Sequence, residues 1–427
     1  MTANPQDSPY VGLVPYSERD AERFCGRTVE IETLVSLTLG NRCIVVHGPS
    51  GVGKSSLLRA GVSATLQKVA TAQNEAFGKP DFVVAYCSDW KESVPLQSVT
   101  AAIASAWRIP GLEASLDLRS AVTEGVNKRN TDLVLVLDQF EEFFLYHPDA
   151  IAAPTTAAGS WLSQIASLMG DSHNSIETGR ATTLPVHLVI ALREEALAKL
   201  DGLHRLIPTL FDKVYRVAPL TVKQAREAVL EPLGWWNQLH PDQTVSATEE
   251  FADRVAEEVR QGQVSFDHIS QARQTTTRGT EDVDAVEAPF LQLVLDTVWH
   301  ESVNRWTRDP GLKRELDAPV LAALGGAPAI VNNHLKRTLE ESTDEDGRPL
   351  FSSRELELIA RLSLHLVTVD MAKIAHSSVS LAGFVDRPVH EVEAILAKLE
   401  QRRILRRIQL PGKPGQDRYE IAHDMLG

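Results

Sequence analysis

Between residues 43 and 217 the chain alternates short, almost purely apolar runs with stretches of helical period. The runs cover residues 43–47, 82–87, 133–137, 186–192 and 213–217, each the length of a strand. Two of them, Leu133-Val134-Leu135-Val136-Leu137 and Val186-His187-Leu188-Val189-Ile190-Ala191-Leu192, are nearly continuous rather than alternating. Continuity of that kind predicts central strands of a parallel sheet, buried on both faces by helices. Each of these two runs is followed by a polar residue. That C-terminal edge is where an open parallel sheet takes its ligand.

After Pro219 the period becomes mostly helical. Thr221 and Gln224 make a capping box ahead of the amphipathic residues 225–230. Residues 270–284, with their Thr-Thr-Thr run, read as a loop, after which Pro289 opens a helix through Leu291, Val294, Leu295 and Val298. A polar break over residues 340–348 precedes a third segment. There Ser352 and Ser353 cap a helix over residues 356–367, and Val392, Ile395, Leu396 and Leu399 mark one face of another. Two β-type runs, 404–410 and 418–422, flank Pro411-Gly412-Lys413-Pro414-Gly415. Helices followed by a hairpin form a winged-helix arrangement. No repeat period is present, which leaves out solenoids and propellers. The expected fold is α/β, a parallel sheet with helices on both faces followed by a helical domain and a winged-helix domain. The expected segments are residues 1–41, 42–218, 219–345 and 346–427.

The first apolar run leads into Gly48-Pro49-Ser50-Gly51-Val52-Gly53-Lys54-Ser55-Ser56, and helical residues follow. The pattern G-x-x-x-x-G-K-S is a phosphate-binding loop of the P-loop NTPases, in which backbone N–H groups around residues 50–55 point at phosphate oxygens and the next helix adds its positive end. Glycines 51 and 53 allow the tight turn. Lys54 is expected on the β- and γ-phosphate oxygens, and the Ser55 hydroxyl in a magnesium shell completed by a carboxylate from elsewhere. The alternative is a plain glycine turn, which the preceding strand and following helix disfavour.

That carboxylate is expected from Asp138, at the end of the 133–137 run, where it would hold the metal through water. One of Glu141 and Glu142 is the candidate to orient or deprotonate an attacking water. The competing reading is a helix start enriched in carboxylates by its dipole. Arg193 emerges after the 186–192 run at the same edge, where it could contact the γ-phosphate. Its competing reading is a strand-end arginine paired with Glu194 or Glu195.

The 427 residues allow two to four domains. Acidic residues outnumber basic ones by 57 to 43, and the formal charge of −14 disfavours broad binding to nucleic acid or anionic membranes. Cys25, Cys43 and Cys87 are far apart, and the latter two lie in apolar runs. They read as reduced residues of a cytoplasmic protein. The polar first residues and the lack of any eighteen-residue apolar stretch give no support for secretion or membrane spanning.

Pro9-Tyr10-Val11-Gly12-Leu13, Asp20, Phe24, Gly26-Arg27, the phosphate loop, Asp138-Gln139-Phe140-Glu141-Glu142 and Tyr419-Glu420-Ile421-Ala422-His423-Asp424 occur in that order. Together they resemble the STAND NTPases, with the bacterial novel STAND group closest. The resemblance covers nearly the whole chain, and the order of motifs carries it. It implies a signal-transducing ATPase that rests closed on ADP, exchanges to ATP with Mg2+, opens and self-associates, in bacterial defence or stress signalling. It also implies that Tyr10, Val11, Gly12, Leu13 and Gly26 line the adenine pocket, with Arg27 near the nucleotide. Pro289, in Ala288-Pro289-Phe290-Leu291, resembles the helical-domain proline that packs on adenine or ribose, although the family's commoner forms are Gly-x-Pro and Leu-Pro-Leu. His423 resembles the winged-helix histidine that touches the ADP β-phosphate and locks the closed form; a structural histidine at a strand end is the other reading. No effector domain or repeat sensor is read in the sequence, so sensor and effector partners or further domains are expected. The main alternative is an origin-recognition-like AAA+ ATPase gripping DNA through Arg402-Arg403-Ile404-Leu405-Arg406-Arg407. The same arginines can pair with carboxylates of an acidic chain, and that pairing is preferred.

Overall fold

The computed structural model describes residues 8–90, 95–114, 117–147, 161–170, 184–260, 284–340, 349–366, 375–402, 404–408 and 417–421. Two compact units result, Met1–Thr244 and Val245–Gly427.

In the first unit the five apolar runs are strands: β1 (Cys43–Gly48), β2 (Phe82–Cys87), β3 (Asp132–Leu137), β4 (Val186–Arg193) and β5 (Val214–Arg216). They pair in parallel in the order β2-β3-β4-β1-β5. Leu133 to Leu137 are fully buried, as are Val189 to Leu192. Side chains that are apolar on both faces have no stable place at a solvated edge, so β3 and β4 take the interior of the sheet. The register sets Leu137 opposite Ile190 and Gly48 opposite Arg193. The C-terminal ends of β1, β3 and β4 therefore open on one edge.

The helices of this unit are α1 (Thr28–Gly40), α2 (Lys54–Ser56), α3 (Ala64–Phe77), α4 (Pro95–Trp107), α5 (Leu118–Arg129), α6 (Phe140–Tyr146), α7 (Trp161–Met169), α8 (Val222–Leu230) and α9 (Pro232–Leu239). Between α2 and α3 the chain widens into a π-helix over Leu57–Ser63, and the Ala64 N–H reaches back to the Arg59 carbonyl. Such widenings are rare and concentrate at functional sites. Tight contact accompanies this one, since a Cβ on Gly61 would lie 2.7 Å from Ile31 of α1.

The division after Thr244 lies beyond the expected boundary at 218/219. Helix α8 begins with the expected Thr221–Gln224 capping box but is tied to the first unit. Gln224 Nε2 donates to Glu30 at 2.8 Å, and the Tyr10 hydroxyl donates to the Val229 carbonyl at 2.7 Å. Gly26, at φ +83°, brings its backbone so close that a Cβ there would meet the Gln224 carbonyl at 2.4 Å. No other residue tolerates both conditions.

The second unit contains α10 (Glu249–Glu258), α11 (Ala288–Arg308), α12 (Ala318–Ala323) and α13 (Gly326–Glu340). It also contains α14 (Ser353–Ser363), β6 (His376–Ser377), α15 (Ser378–Val385), α16 (Val389–Gln401), β7 (Leu405–Ile408) and β8 (Arg418–Ile421). The three strands form an antiparallel sheet in the order β6-β8-β7, which is the winged-helix arrangement. Ser352 and Glu355 form the capping box of α14. Val392, Ile395, Leu396 and Leu399 are buried together with Leu358, Leu362, Leu381, Tyr419 and Ile421. The loop expected over 270–284 and the hairpin turn at 411–415 fall outside the described residues, except Asp284. Among the described residues no helix is long and apolar enough to cross a membrane.

Candidate functional site

The phosphate loop leaves β1 and turns through Gly51 at φ +75° and Gly53 at φ +93°, left-handed values that require glycine. Gly53 is the N-cap of α2, so the following N–H groups are aimed outward for an anion. Lys54 Nζ donates to the carbonyls of Gly48 and Pro49, each at 2.8 Å. Burial pushes the Lys54 ammonium below its ordinary pKa, against the opposing pull of Glu141 and Asp138. A phosphate arriving at the loop would supply the counter-charge that this buried cation wants.

Asp138 follows β3, and only 1% of it is exposed. Its Oδ2 accepts from the Tyr86 hydroxyl at 2.5 Å, and its carbonyl accepts from Trp90 Nε1 at 2.8 Å. Burial, then the Asp138 carboxylate, push the Tyr86 phenol far above its ordinary pKa, so it stays a donor. Trp90 is fully buried against Phe140 and Phe143. The next residue, Gln139, has φ +53°, a strained value for a residue with a Cβ. Its amide reaches Ser55 Oγ at 3.4 Å. A serine hydroxyl and a carboxylate are the hard oxygen donors that suit Mg2+ with waters and phosphate oxygens. Ser55 and Asp138 therefore fit the ion, which when bound would neutralise phosphate charge.

The two glutamates of α6 are placed differently. Glu142 is 6% exposed, on the buried face with Phe143 and Phe144. Glu141 lies at the sheet edge, where Oε1 is 3.2 Å from Arg193 Nε and Oε2 accepts from the Arg193 backbone N–H at 3.2 Å. The ion-pair partner of Arg193 is thus Glu141, whereas Glu194 pairs with Arg216.

Arg27 is 4% exposed. Its guanidinium donates to Glu30 Oε1 and the Ala218 carbonyl at 2.9 Å, and to the Val52 carbonyl of the phosphate loop at 3.0 Å. Its printed role is structural: it braces the loop. Tyr10 and Gly12 are buried, while Val11 and Leu13 are half-buried. Pro289 occupies the first turn of α11 in the second unit. His423 lies outside the described residues. Of the arginines in the DNA-gripping alternative, Arg407 donates through Nε to Asp417 at 2.9 Å.

Sequence reading missed Tyr86, Trp90, Gln139 and Arg59. Tyr86 carried the only faint signal, a phenol inside an otherwise apolar strand.

A family model described as Novel STAND NTPase 1 matches residues 9–427. The chain belongs to this family. It is accordingly a P-loop NTPase that hydrolyses nucleoside triphosphates. Among solved structures, this STAND chain is similar to the ORC2 protein of Aeropyrum pernix in ADPNP-ADP complexes, with 14% identity, TM-score 0.46, and coverage of 93% of this chain and 89% of that one. The ORC1 protein of the same organism, in complex with DNA, matches at 14% identity and TM-score 0.46 over 98% and 96%. The RuvB Holliday junction branch migration motor of Thermotoga maritima matches at 13% and 0.35 over 95% and 94%. These likenesses are distant, and no role is taken from them. No curated protein sequence matches the chain.

Proposed function

We propose that this STAND NTPase is a slow signalling switch, which holds ADP at rest and on exchange to ATP opens and self-associates in bacterial defence or stress signalling. The observation that carries this reading is the grip of Glu141 on Arg193 through both a side-chain and a backbone donor. A γ-phosphate competes with Glu141 for Arg193. When it wins, Arg193 reports ATP and Glu141 is released to orient or deprotonate water. Hydrolysis and signalling then depend on the same exchange of partners. Hydrogen bonds to a charged group are worth about 1.5–3 kcal/mol each. Exchanging two of them is comparable with the roughly 5.5 kcal/mol of differential binding that takes a population from mostly closed to mostly open.

In this reading residues 48–56 hold the phosphates, Ser55 and Asp138 hold Mg2+, and Tyr10–Leu13, Gly26 and Pro289 contribute to the adenine pocket. Arg27 keeps the loop in shape, His423 locks ADP, and sensor and effector functions come from partners or further domains. The test is to purify the protein without added nucleotide, denature it, and identify what is released. Near-stoichiometric ADP is expected. An apo protein that turns over ATP faster than about 1 per second would overturn the resting-ADP switch.

A further inference from the structure

We propose that Tyr86 is a positioning residue for the Asp138 carboxylate, held in place by Arg59 and Glu18, and that this set tunes the magnesium requirement of nucleotide binding. The inference rests on the reading that Asp138 and Ser55 hold Mg2+. The Tyr86 hydroxyl engages Asp138 Oδ2 at 2.5 Å, while Trp90 fixes the Asp138 carbonyl from another side. Oδ1 accepts no hydrogen bond among the described residues, so the Tyr86 bond selects which carboxylate oxygen is presented.

Tyr86 is itself clamped. The Arg59 guanidinium carbon lies 5.3 Å from the centroid of its ring, and Arg59 reaches Glu18 in a fork, Nε to Oε1 at 3.3 Å and Nη2 to Oε2 at 3.1 Å. Arg59 is placed by the π-helix that follows Lys54 and Ser55. Two residues before Glu18, the Tyr16 N–H donates to Ser56 Oγ at 3.2 Å. From Ser55 the path returns to Asp138 through the Gln139 amide. Asp138, Tyr86, Arg59, Glu18, Ser56, Ser55 and Gln139 therefore form a closed ring that sets the separation of the two metal donors. Magnesium demands near-ideal octahedral geometry, so a ring that fixes two of its oxygens acts on metal affinity. It leaves the contacts between phosphates and backbone N–H groups alone.

The test titrates magnesium chloride against a fluorescent ADP analogue bound to the parent, Tyr86→Phe and Arg59→Gln, with a parallel binding curve in EDTA. Loss of a hydrogen-bond partner behind a metal ligand costs about 10–100-fold in metal affinity. Tyr86→Phe is expected to raise the magnesium needed for half-maximal binding by that factor, with unchanged affinity in EDTA. Arg59→Gln is expected to shift it the same way by less. A general folding defect would weaken binding in EDTA as well, and in that case Arg59→Gln and Glu18→Gln decide the matter. Parental magnesium curves in all variants that bind in EDTA overturn the inference while leaving the metal reading intact. A parent protein whose binding ignores magnesium overturns both.

Discussion

Replacing Arg27 by Ala should be among the most damaging single changes in the first unit. The guanidinium is 4% exposed, and its partner Glu30 has a side chain only 14% exposed. Removing Arg27 leaves the Glu30 carboxylate with the Gln224 amide alone on Oε1, while Oε2 already has no partner. It also strands the carbonyls of Val52 and Ala218. Breaking a buried ion pair from one side costs about 3–5 kcal/mol, and the two carbonyls are not added separately because such terms overlap. For a unit of this size each kcal/mol moves the melting point about 2–4 °C, so the unit's transition should fall by roughly 6–20 °C. The assay is thermal and urea unfolding of the parent, Arg27→Ala, Glu30→Leu and the pair Arg27→Met with Glu30→Leu. The double variant should recover part of the loss, since no buried charge is left alone, though Gln224 still lacks its acceptor. A melting point for Arg27→Ala within about 2 °C of the parent would refute the bracing role and return Arg27 to direct ligand contact.

Lys54→Ala should lose co-purifying nucleotide and weaken ATP binding at least about 10-fold, the worth of one charge-assisted contact; unchanged affinity by calorimetry would remove the loop from the site. Glu141→Gln should retain nucleotide and lower steady-state ATP turnover by about 100-fold or more, whereas Glu142→Gln should keep turnover, and the reverse pattern in folded variants would exchange their roles. His147 is buried with Nε2 2.7 Å from the Trp90 carbonyl, and burial pushes its pKa below the ordinary value of 6.5. A depressed histidine is neutral in the native state and takes its proton first when unfolded, so its contribution is whole above pH 6.5 and drains as pH falls toward the folded value, by up to ~1.4 kcal/mol per pH unit. Unfolding midpoints at pH 7.5 and 5.5 should show a smaller acid loss in His147→Gln than in the parent; equal losses would contradict this.

Much of the architecture was legible because it is encoded by local period and local chemistry. Residues 133–137 are apolar at every position, which only a strand covered on both faces can use, and β3 is that strand. The phosphate loop was readable because its glycines answer a backbone requirement confined to a few residues, met at Gly51 and Gly53. The capping boxes at Thr221 and Ser352 span only three residues and formed as read. What depended on long-range register was not legible. Arg193 had acidic neighbours in sequence at 194 and 195, yet its partner is Glu141, which the pairing of β3 with β4 brings beside it. Glu141 and Glu142 were equivalent as letters, and the packing of α6 buried one and left the other at the edge. Helix α8 looked like the start of a new domain, but Tyr10, Gly26 and Glu30 join it to the first unit. Tyr86 meets Asp138 because parallel strands end together. The sequence by itself determined which segments become strands, helices and a phosphate loop; the tertiary structure decided which charges meet, since that depends on strand order and side-chain burial that no local pattern specifies.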